Sequence, residues 1–377
     1  MGIPRLKFLM IMTDTKTKHA EKPTEESRKI GKTLMEDIRS SDLPRTLRQD
    51  LQETYHFYLD DDSKAQLSGM GQFQRWMYTS FWLMKSLFLK LSPNRRVMLL
   101  IGLFLAVNGA MGDNLMVFAG FLVLLLVLVL ELKDKLMAQD ELTAGRTVQM
   151  ALMPDENPAL PGWETWLYTR PANDVGGDLV DYLRISGERL GLALGDVAGK
   201  GLPAALFMAK LQATLRAVAP GHQDLSELGT EINEIFRRDG LPNRFASLVY
   251  LEIKPDEDRV RVLNAGHLPP MIVHDGAVEE LPRGAPALGL MAGAPYREQE
   301  ALLSRGDLLL VCSDGITEAR NQAGAFFGEE RLKKLLRSLH NVSLETAGQR
   351  LLNEVDRFVG DARPSDDLSI VLLKRVG

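Results

Sequence analysis

Two aspartates stand at opposite ends of a predicted β-hairpin in residues 175–201, which read VGGDLVDYLRISGERLGLALGDVAGKG. Asp178 precedes the first apolar run and Asp196 ends the second, with the turn sequence SGE between the two runs. With Gly187 at the centre of the turn, Asp178 and Asp196 face each other across the hairpin. Because directly opposed carboxylates repel each other, this arrangement predicts a positive group between them.

Two further acidic sites repeat the pattern of an aspartate beside a strand. The run GDLLLVCSDG leads into Asp314, and RPSDDLSIVLL places Asp366 and Asp367 just before the last predicted strand. One such aspartate is usually a turn or cap residue, but four sites in one domain favour a shared metal centre. Carboxylate oxygens select hard cations such as Mg²⁺, Mn²⁺ or Ca²⁺. Because paired ions can activate a water for in-line displacement at phosphorus, the pattern predicts metal-assisted hydrolysis of a phosphate ester.

Three other motifs resemble active-site signatures but lack residues that those signatures require. The segment GDVAGKG has too few residues between its glycines for a phosphate-binding loop and ends in Gly201 instead of Ser or Thr. Cys312 lies in an apolar strand without the arginine of a cysteine phosphatase, so it is expected in the core. His267 in NAGHLPP has no second histidine at metal-ligand spacing, and we expect it to order its loop.

The composition limits the classes of protein to which the chain can belong. Its 377 residues suffice for about two domains. A net charge of −5 gives no electrostatic support for nucleic-acid binding, so we expect no nucleic-acid partner. The single cysteine cannot form an intrachain disulfide, which is typical of a reducing compartment.

A long apolar run from Val97 to Leu130 contains no basic residue and one acid, Asp113. The run is too long for one straight crossing of a bilayer, and a break at residues 112–114 divides it into two predicted transmembrane helices. Arginines precede the run and lysines follow it, so the positive-inside rule places both ends in the cytoplasm. The alternative is a buried helical hairpin of a soluble domain, and the continuously apolar stretch 121–130 argues against it.

The sequence predicts five consecutive parts of the chain. Residues 1–72 are polar and mixed in charge, with the composition of a partly disordered tail. Residues 73–96 are aromatic-rich and predict an amphipathic juxtamembrane helix in contact with membrane lipid, with a core helix as the alternative. The transmembrane helices occupy 97–132, a helical linker 133–153, and a catalytic domain 154–377.

Short apolar runs alternate with turn signals from Pro154 onward, and tight turns between neighbouring runs indicate antiparallel pairing. The predicted fold is α+β, with a central antiparallel β-sandwich flanked by helices and preceded by a transmembrane helical hairpin. The predicted strands are WETWLYT, LVDYLRI, RLGLALGD, FASLVYLEI, RVRVLNAG, PPMIVHD, DLLLVCSD and LSIVLLKRV. The predicted helices are LPAALFMAKLQATLRAVA, LSELGTEINEIFRRD, EERLKKLLRSL and SLETAGQRLLNEVDRFVG.

Seven motifs in the predicted catalytic domain follow the order of a known family. The motifs follow one another between residues 170 and 373, within a resemblance that covers about residues 145–377, and they read RPANDVGGDLVDY, LALGDVAGKGLPAALFMA, LNAGHLPPMIV, PALGL, GDLLLVCSDGITEARN, FFGEERL and SDDLSIVLL. In order and spacing this series resembles the SpoIIE/RsbU-type serine/threonine phosphatases, a bacterial branch of the metal-dependent protein phosphatase 2C superfamily. The resemblance implies a protein phosphatase 2C-like fold with two Mn²⁺ or Mg²⁺ ions.

The resemblance also assigns site residues by position. Asp178, Asp196, Asp314 and Asp366 match the catalytic and metal-binding acids of the family. The backbone carbonyl of Val197 matches a further metal ligand, and Asp367 is the neighbour that competes with Asp366 for the last position.

The function implied is a membrane-anchored protein phosphatase in the bacterial cell membrane, with two passes and a cytoplasmic catalytic domain. The substrate implied is a phosphorylated STAS-domain protein, an anti-anti-sigma factor, and water attacks its phosphorus directly. The family also implies regulation through the helical linker and allows a homodimer. Two alternatives stay open at this point: a two-metal phosphodiesterase or nucleotide enzyme, and a binding module without turnover.

Overall fold

The structure is a computed structural model that describes residues 72–110, 112, 114–186, 188–240 and 244–377. The chain divides into two compact units, the first ending at Glu131 and the second comprising Leu132–Gly377. The predictions for residues 1–71, for Asp113 and for the turn residue Gly187 lie outside the described residues.

Three helices precede the β-sandwich: α1 (Gln72–Lys90), α2 (Pro93–Gly109) and α3 (Asn114–Leu152). Helix α1 ends at Lys90 instead of residue 96, because Pro93 starts the next helix and cannot continue the previous one. The second predicted transmembrane helix and the predicted linker form one uninterrupted helix, α3. Among the described residues, α3 is the one helix that is long and apolar enough to cross a membrane.

Helix α2 and the first half of α3 pack closely through small residues. A Cβ atom on Gly120 would lie 2.6 Å from the backbone nitrogen of Ala106, so only glycine permits this approach. Such small-residue contacts are typical of helices packed within a membrane. At the open end of this hairpin, Arg95 donates a hydrogen bond to Glu131 at 2.8 Å. Apolar side chains such as Phe104 and Phe121 are exposed on the outside of the pair.

The second unit contains two five-stranded sheets in which every pair of neighbours is antiparallel. Sheet A has the order β1-β10-β9-β6-β7, and sheet B has the order β2-β3-β4-β5-β8. The strands of sheet A are β1 (Trp163–Arg170), β6 (Met271–His274), β7 (Ala277–Glu280), β9 (Leu308–Cys312) and β10 (Leu368–Arg375). Those of sheet B are β2 (Leu179–Ser186), β3 (Arg189–Val197), β4 (Ala246–Ile253), β5 (Arg259–Ala265) and β8 (Glu298–Leu302).

Helices cover the outer face of each sheet. Two helices pack on sheet B, namely α4 (Leu202–Val218) and α5 (Leu225–Asp239). A single turn, α6 (Asp314–Thr317), follows β9, and sheet A is covered by α7 (Glu329–Arg337) and α8 (Leu344–Val359).

The side chains of each strand alternate between two buried layers. In β3, for example, Leu192 packs between the sheets whereas Ala193 packs under the helices of sheet B. Because both faces are covered, the central strands read as almost continuous apolar runs, and this made them predictable from the sequence. Strands β7 and β8 and the turn α6 were not predicted, since AVEE and EQEAL are short and polar.

Candidate metal centre

The register of the β2–β3 hairpin agrees with the register predicted from its turn. Leu179 pairs with Gly195, and the same register continues to Arg184 opposite Leu190. Asp178 directly precedes Leu179 at the start of β2, and Asp196 directly follows Gly195 in β3. Both acids therefore lie at the same end of sheet B. Their side chains also interact with each other, because the charge of Asp196 contributes to raising the pKa of Asp178.

Asp178 is a buried acid whose carboxylate is incompletely satisfied. Its side-chain oxygen Oδ2 has no hydrogen-bond partner, and the residue is only 4% exposed. Burial raises the pKa of Asp178 well above its usual value, and the neighbouring Asp196 raises it further. A buried oxygen without a donor is costly in free energy, which makes this atom a candidate ligand for a cation.

Asp196 is the acid that links the two sheets electrostatically. Burial raises its pKa to about 6, and the charges of Asp314, Asp366 and Asp367 follow as further causes in that order. Asp314 begins α6 directly after β9 of sheet A, and its own pKa is raised by burial and then by Asp366. The strand ends of both sheets therefore bring the predicted acids into one electrostatically coupled cluster.

The neighbours Asp366 and Asp367 have different surroundings. The carboxylate of Asp367 is buried and accepts hydrogen bonds from the backbone N–H groups of Ala172 at 2.8 Å and Gly177 at 2.6 Å. The carboxylate of Asp366 is 42% exposed and forms an ion pair with Lys200 at 3.0 Å. Asp367 is therefore engaged in holding the loop before Asp178, whereas Asp366 is accessible to a ligand.

The carbonyl group of Val197 lies beside the same loop. A Cβ atom on Gly177 would stand 3.2 Å from the Val197 carbonyl oxygen, so that oxygen lies next to the residue that precedes Asp178. The sequence did not reveal that Gln149 of α3 also holds this loop. Its side-chain amide donates to the carbonyl of Gly176 at 2.8 Å and accepts from the N–H of Gly176 at 3.1 Å. A glutamine on a helix carries no sequence signal for such a contact.

The surroundings of the cluster suit divalent cations with oxygen ligands. Across the part of the chain that the structure describes, no three His, Cys, Asp or Glu side chains are already as close as ligands around one ion. Burial is the main cause of the raised pKa values of Asp178, Asp196 and Asp314, and the charges of neighbouring acids raise them further. The unpartnered oxygen of Asp178 and the all-oxygen donor set fit Mn²⁺ or Mg²⁺.

The affinity for Mn²⁺ is expected to weaken as the pH is lowered through about 6. The pKa of Asp196 is about 6, so below that pH a proton competes with the ion for this carboxylate. One displaced proton changes the affinity by about tenfold per pH unit. Calorimetric titration with Mn²⁺ above and below pH 6 measures this dependence.

In the metal-free protein, the raised pKa of Asp196 affects folding stability, which it lowers as the pH rises. The folded state binds more protons than the unfolded state near pH 5, so the contribution of Asp196 to stability declines as the pH rises through about 6. The Asp196→Asn variant should lack both effects. An Mn²⁺ affinity that stays constant across this pH range would contradict the assignment of Asp196 as a ligand.

Comparisons with known proteins show the family and the fold of the second unit. The family model described as Stage II sporulation protein E (SpoIIE) matches residues 186–376. The SiaA-PP2C domain of Pseudomonas aeruginosa has a similar structure, with a TM-score of 0.56 and 20% sequence identity, covering 64% of this chain and 98% of that domain. This similarity confirms the predicted protein phosphatase 2C-like α+β fold.

Two relatives in sequence extend the comparison. Protein IcfG of Synechocystis sp. is 26% identical over 266 residues, which cover 62% of this chain and 41% of IcfG. Phosphoserine phosphatase RsbU of Bacillus subtilis is 24% identical over 241 residues, which cover 63% of this chain and 70% of RsbU. The matched region thus spans less than half the length of one of these relatives and more than two thirds of the other.

Proposed function

This chain belongs to the SpoIIE family, and we propose that its second unit is a metal-dependent phosphoserine and phosphothreonine protein phosphatase. The observation that carries the proposal is the meeting of Asp178 and Asp196 of sheet B with Asp314 and Asp366 of sheet A at one end of the sandwich. The relative RsbU of Bacillus subtilis is a phosphoserine phosphatase, which supports the same reaction.

The residues of the chain have distinct roles in this proposal. Asp196 lies at the centre of the cluster and would bind both ions, while Asp178 and the carbonyl of Val197 approach from sheet B. Asp314 and Asp366 approach from sheet A. When bound, two Mn²⁺ or Mg²⁺ ions supply an activated water and neutralise the charge of the phosphate group.

The surroundings of the cluster favour direct attack by water over a phosphoenzyme formed on a thiol or an imidazole. Cys312 is buried, and burial raises the pKa of its thiol to about 12, so no thiolate is available. His267 is half-buried, and both of its ring nitrogens have partners within the protein. Lys200, whose ammonium group contacts Asp366, is placed to attract the phosphate group of a substrate.

The proposed substrate is a phosphorylated STAS-domain protein, an anti-anti-sigma factor. The test measures phosphate release from such a phosphoprotein with Mn²⁺, with and without a chelator, beside a panel of cyclic and linear nucleotides. We expect release from the phosphoprotein that stops when the chelator is added. Turnover of nucleotides alone would favour a phosphodiesterase or nucleotide enzyme, and binding without turnover would favour a binding module.

The first unit is proposed to anchor the protein in the bacterial cell membrane as a two-pass hairpin of α2 and α3, with α1 on the lipid surface. The apolar composition of α3 supports this, as do the close α2–α3 packing at Gly120 and the Arg95–Glu131 ion pair at the proposed cytoplasmic end. The exposed aromatic side chains Tyr78 and Phe81 of α1 suit the headgroup region.

Cysteine labelling of intact cells tests this topology. Asn114 starts α3 at the tip of the hairpin, and the exposed Gln139 lies in the part of α3 beyond the apolar stretch. With a membrane-impermeant maleimide, we expect Asn114→Cys to be labelled in intact cells and Gln139→Cys only after lysis. The buried native Cys312 should contribute little background. Labelling of both sites in intact cells, or of neither, would contradict the two-pass hairpin.

Regulation is proposed to enter the catalytic domain through α3. The last turns of α3 contact the active-site side of the domain, where Gln149 holds Gly176 and the Leu152 carbonyl accepts from Gln212 of α4 at 2.7 Å. A change in the position of α3 would therefore move the loop that carries Asp178. The homodimer that the family allows is tested by sedimentation of the full chain in detergent.

The Gln149→Ala substitution is expected to weaken Mn²⁺ binding by several-fold. It removes two hydrogen bonds and leaves the buried N–H and carbonyl of Gly176 without partners, a cost of about 1–3 kcal/mol that loosens the loop. Mn²⁺ titration of the full chain measures the effect, with Gln139→Ala as the control on an exposed turn of α3. Equal Mn²⁺ affinity of the two variants would exclude regulation of the metal centre through the contact of Gln149 with Gly176.

A further inference from the structure

His267 is half-buried beside the strands that carry the acids, and it contacts both sheets. Its ring nitrogen Nδ1 is 2.8 Å from the hydroxyl oxygen of Ser247 in β4, and Nε2 is 3.1 Å from the carbonyl oxygen of Cys312 in β9. Its backbone N–H donates to the side chain of Asn264 at 2.9 Å. The imidazole ring thus bridges sheet B and sheet A.

Chemistry determines which nitrogen carries the proton. Burial lowers the pKa of His267 to about 4, so the ring is neutral at pH 7 and has one N–H. The carbonyl oxygen of Cys312 can only accept, so Nε2 donates to it, and Nδ1 accepts from the hydroxyl of Ser247. Both nitrogens are satisfied in this single tautomer, which leaves His267 no lone pair for an ion.

Each end of this bridge lies close to one of the proposed metal ligands, Asp196 at one end and Asp314 at the other. Ser247 pairs with Asp196 in the β3–β4 register, and its hydroxyl oxygen is 3.4 Å from the backbone carbonyl oxygen of Asp196. Cys312 ends β9 two residues before Asp314. The intervening Ser313 donates from its hydroxyl to the backbone carbonyl of Asp367 at 3.0 Å. This hydrogen bond links the segment that contains Asp366 and Asp367 to the end of β9.

We propose that His267 is a positioning residue that sets the distance between Asp196 and Asp314 through its two hydrogen bonds. The role rests on the metal centre of the proposed function. The two carboxylates carry charges of the same sign when ionised, so they repel each other. A rigid bridge between the two backbones opposes this repulsion. Metal sites of this kind depend on ligands held within about 0.5 Å of the productive geometry.

The test measures the dissociation constant for Mn²⁺ by electron paramagnetic resonance in the full chain, together with the thermal unfolding midpoint without metal. His267→Ala is expected to raise the dissociation constant at least tenfold. His267→Gln retains an N–H that reaches the Cys312 carbonyl, and His267→Asn retains an oxygen that reaches Ser247, so each should recover part of the affinity. His340→Ala changes a half-buried histidine whose ring contacts Arg337 and Asn341, and it should have no effect.

A double variant separates positioning from simple loss of stability. Because His267→Gln already lacks the link to Ser247, adding Ser247→Ala to it should change the Mn²⁺ dissociation constant less than Ser247→Ala does in the unsubstituted chain. If His267→Ala and His267→Gln lower the unfolding midpoint but bind Mn²⁺ as tightly as the unsubstituted chain, the positioning role is overturned and the phosphatase proposal stands. If the unsubstituted chain binds no Mn²⁺, both are overturned.

Discussion

The Asp196→Asn substitution is expected to reduce turnover of a phosphoprotein by on the order of 10³-fold or more, because several kcal/mol of transition-state stabilisation would depend on the ions that this carboxylate would bind. Asparagine has the size of aspartate but lacks its charge, so it cannot replace a shared ligand of two divalent cations. Of the acids at the site, Asp196 senses the charges of Asp314, Asp366 and Asp367, which makes it the central member.

The fold should survive this substitution. Burial and neighbouring acids raise the pKa of Asp196 to about 6, so its negative charge is unfavourable in the metal-free protein at pH 7. The neutral amide should leave the unfolding midpoint without metal unchanged or higher. Mn²⁺-dependent phosphate release and thermal unfolding measure the two effects, with Asp239→Asn on the exposed end of α5 as the control. Full Mn²⁺-dependent turnover by the Asp196→Asn variant would refute the proposed function.

The neighbours Asp366 and Asp367 should respond to alanine substitution in opposite ways. Asp366→Ala is expected to lose Mn²⁺ affinity and turnover, while its stability changes little, because its exposed ion pair with Lys200 contributes about 0–1 kcal/mol. Asp367→Ala is expected to cost about 3 kcal/mol or more, since the buried N–H of Gly177 and the half-buried N–H of Ala172 lose a charged acceptor.

Urea unfolding without metal and Mn²⁺ titration of both variants separate the two roles. The unsubstituted chain is the reference for both measurements, and Lys200→Ala is a further control because it removes the partner of Asp366 but no carboxylate. An Asp367→Ala variant of normal stability that fails to bind Mn²⁺ would assign the last metal position to Asp367 instead.

Much of the fold was predictable because the information was local. A turn at residues 186–188 and two apolar runs of similar length define which residues pair, so the β2–β3 register followed from the sequence. The apolar strands of both sheets were also predictable, because each is a continuous local run of apolar residues. The edge strands β7 and β8 were missed, because strands that are short and polar in sequence have no periodic signal above that of a loop.

The sequence by itself determined which residue types stand at the strand ends, the α+β class and the apolar length of α3, since composition and spacing along the chain encode these properties. Only the tertiary structure distinguished the exposed Asp366 beside Lys200 from Asp367, whose carboxylate accepts backbone hydrogen bonds, because the surroundings of these two neighbours come from distant segments. The contacts of Gln149 with Gly176 and of His267 with Ser247 and Cys312 also arise only on folding. Each joins residues from separate elements, and no spacing along the chain specifies such a contact.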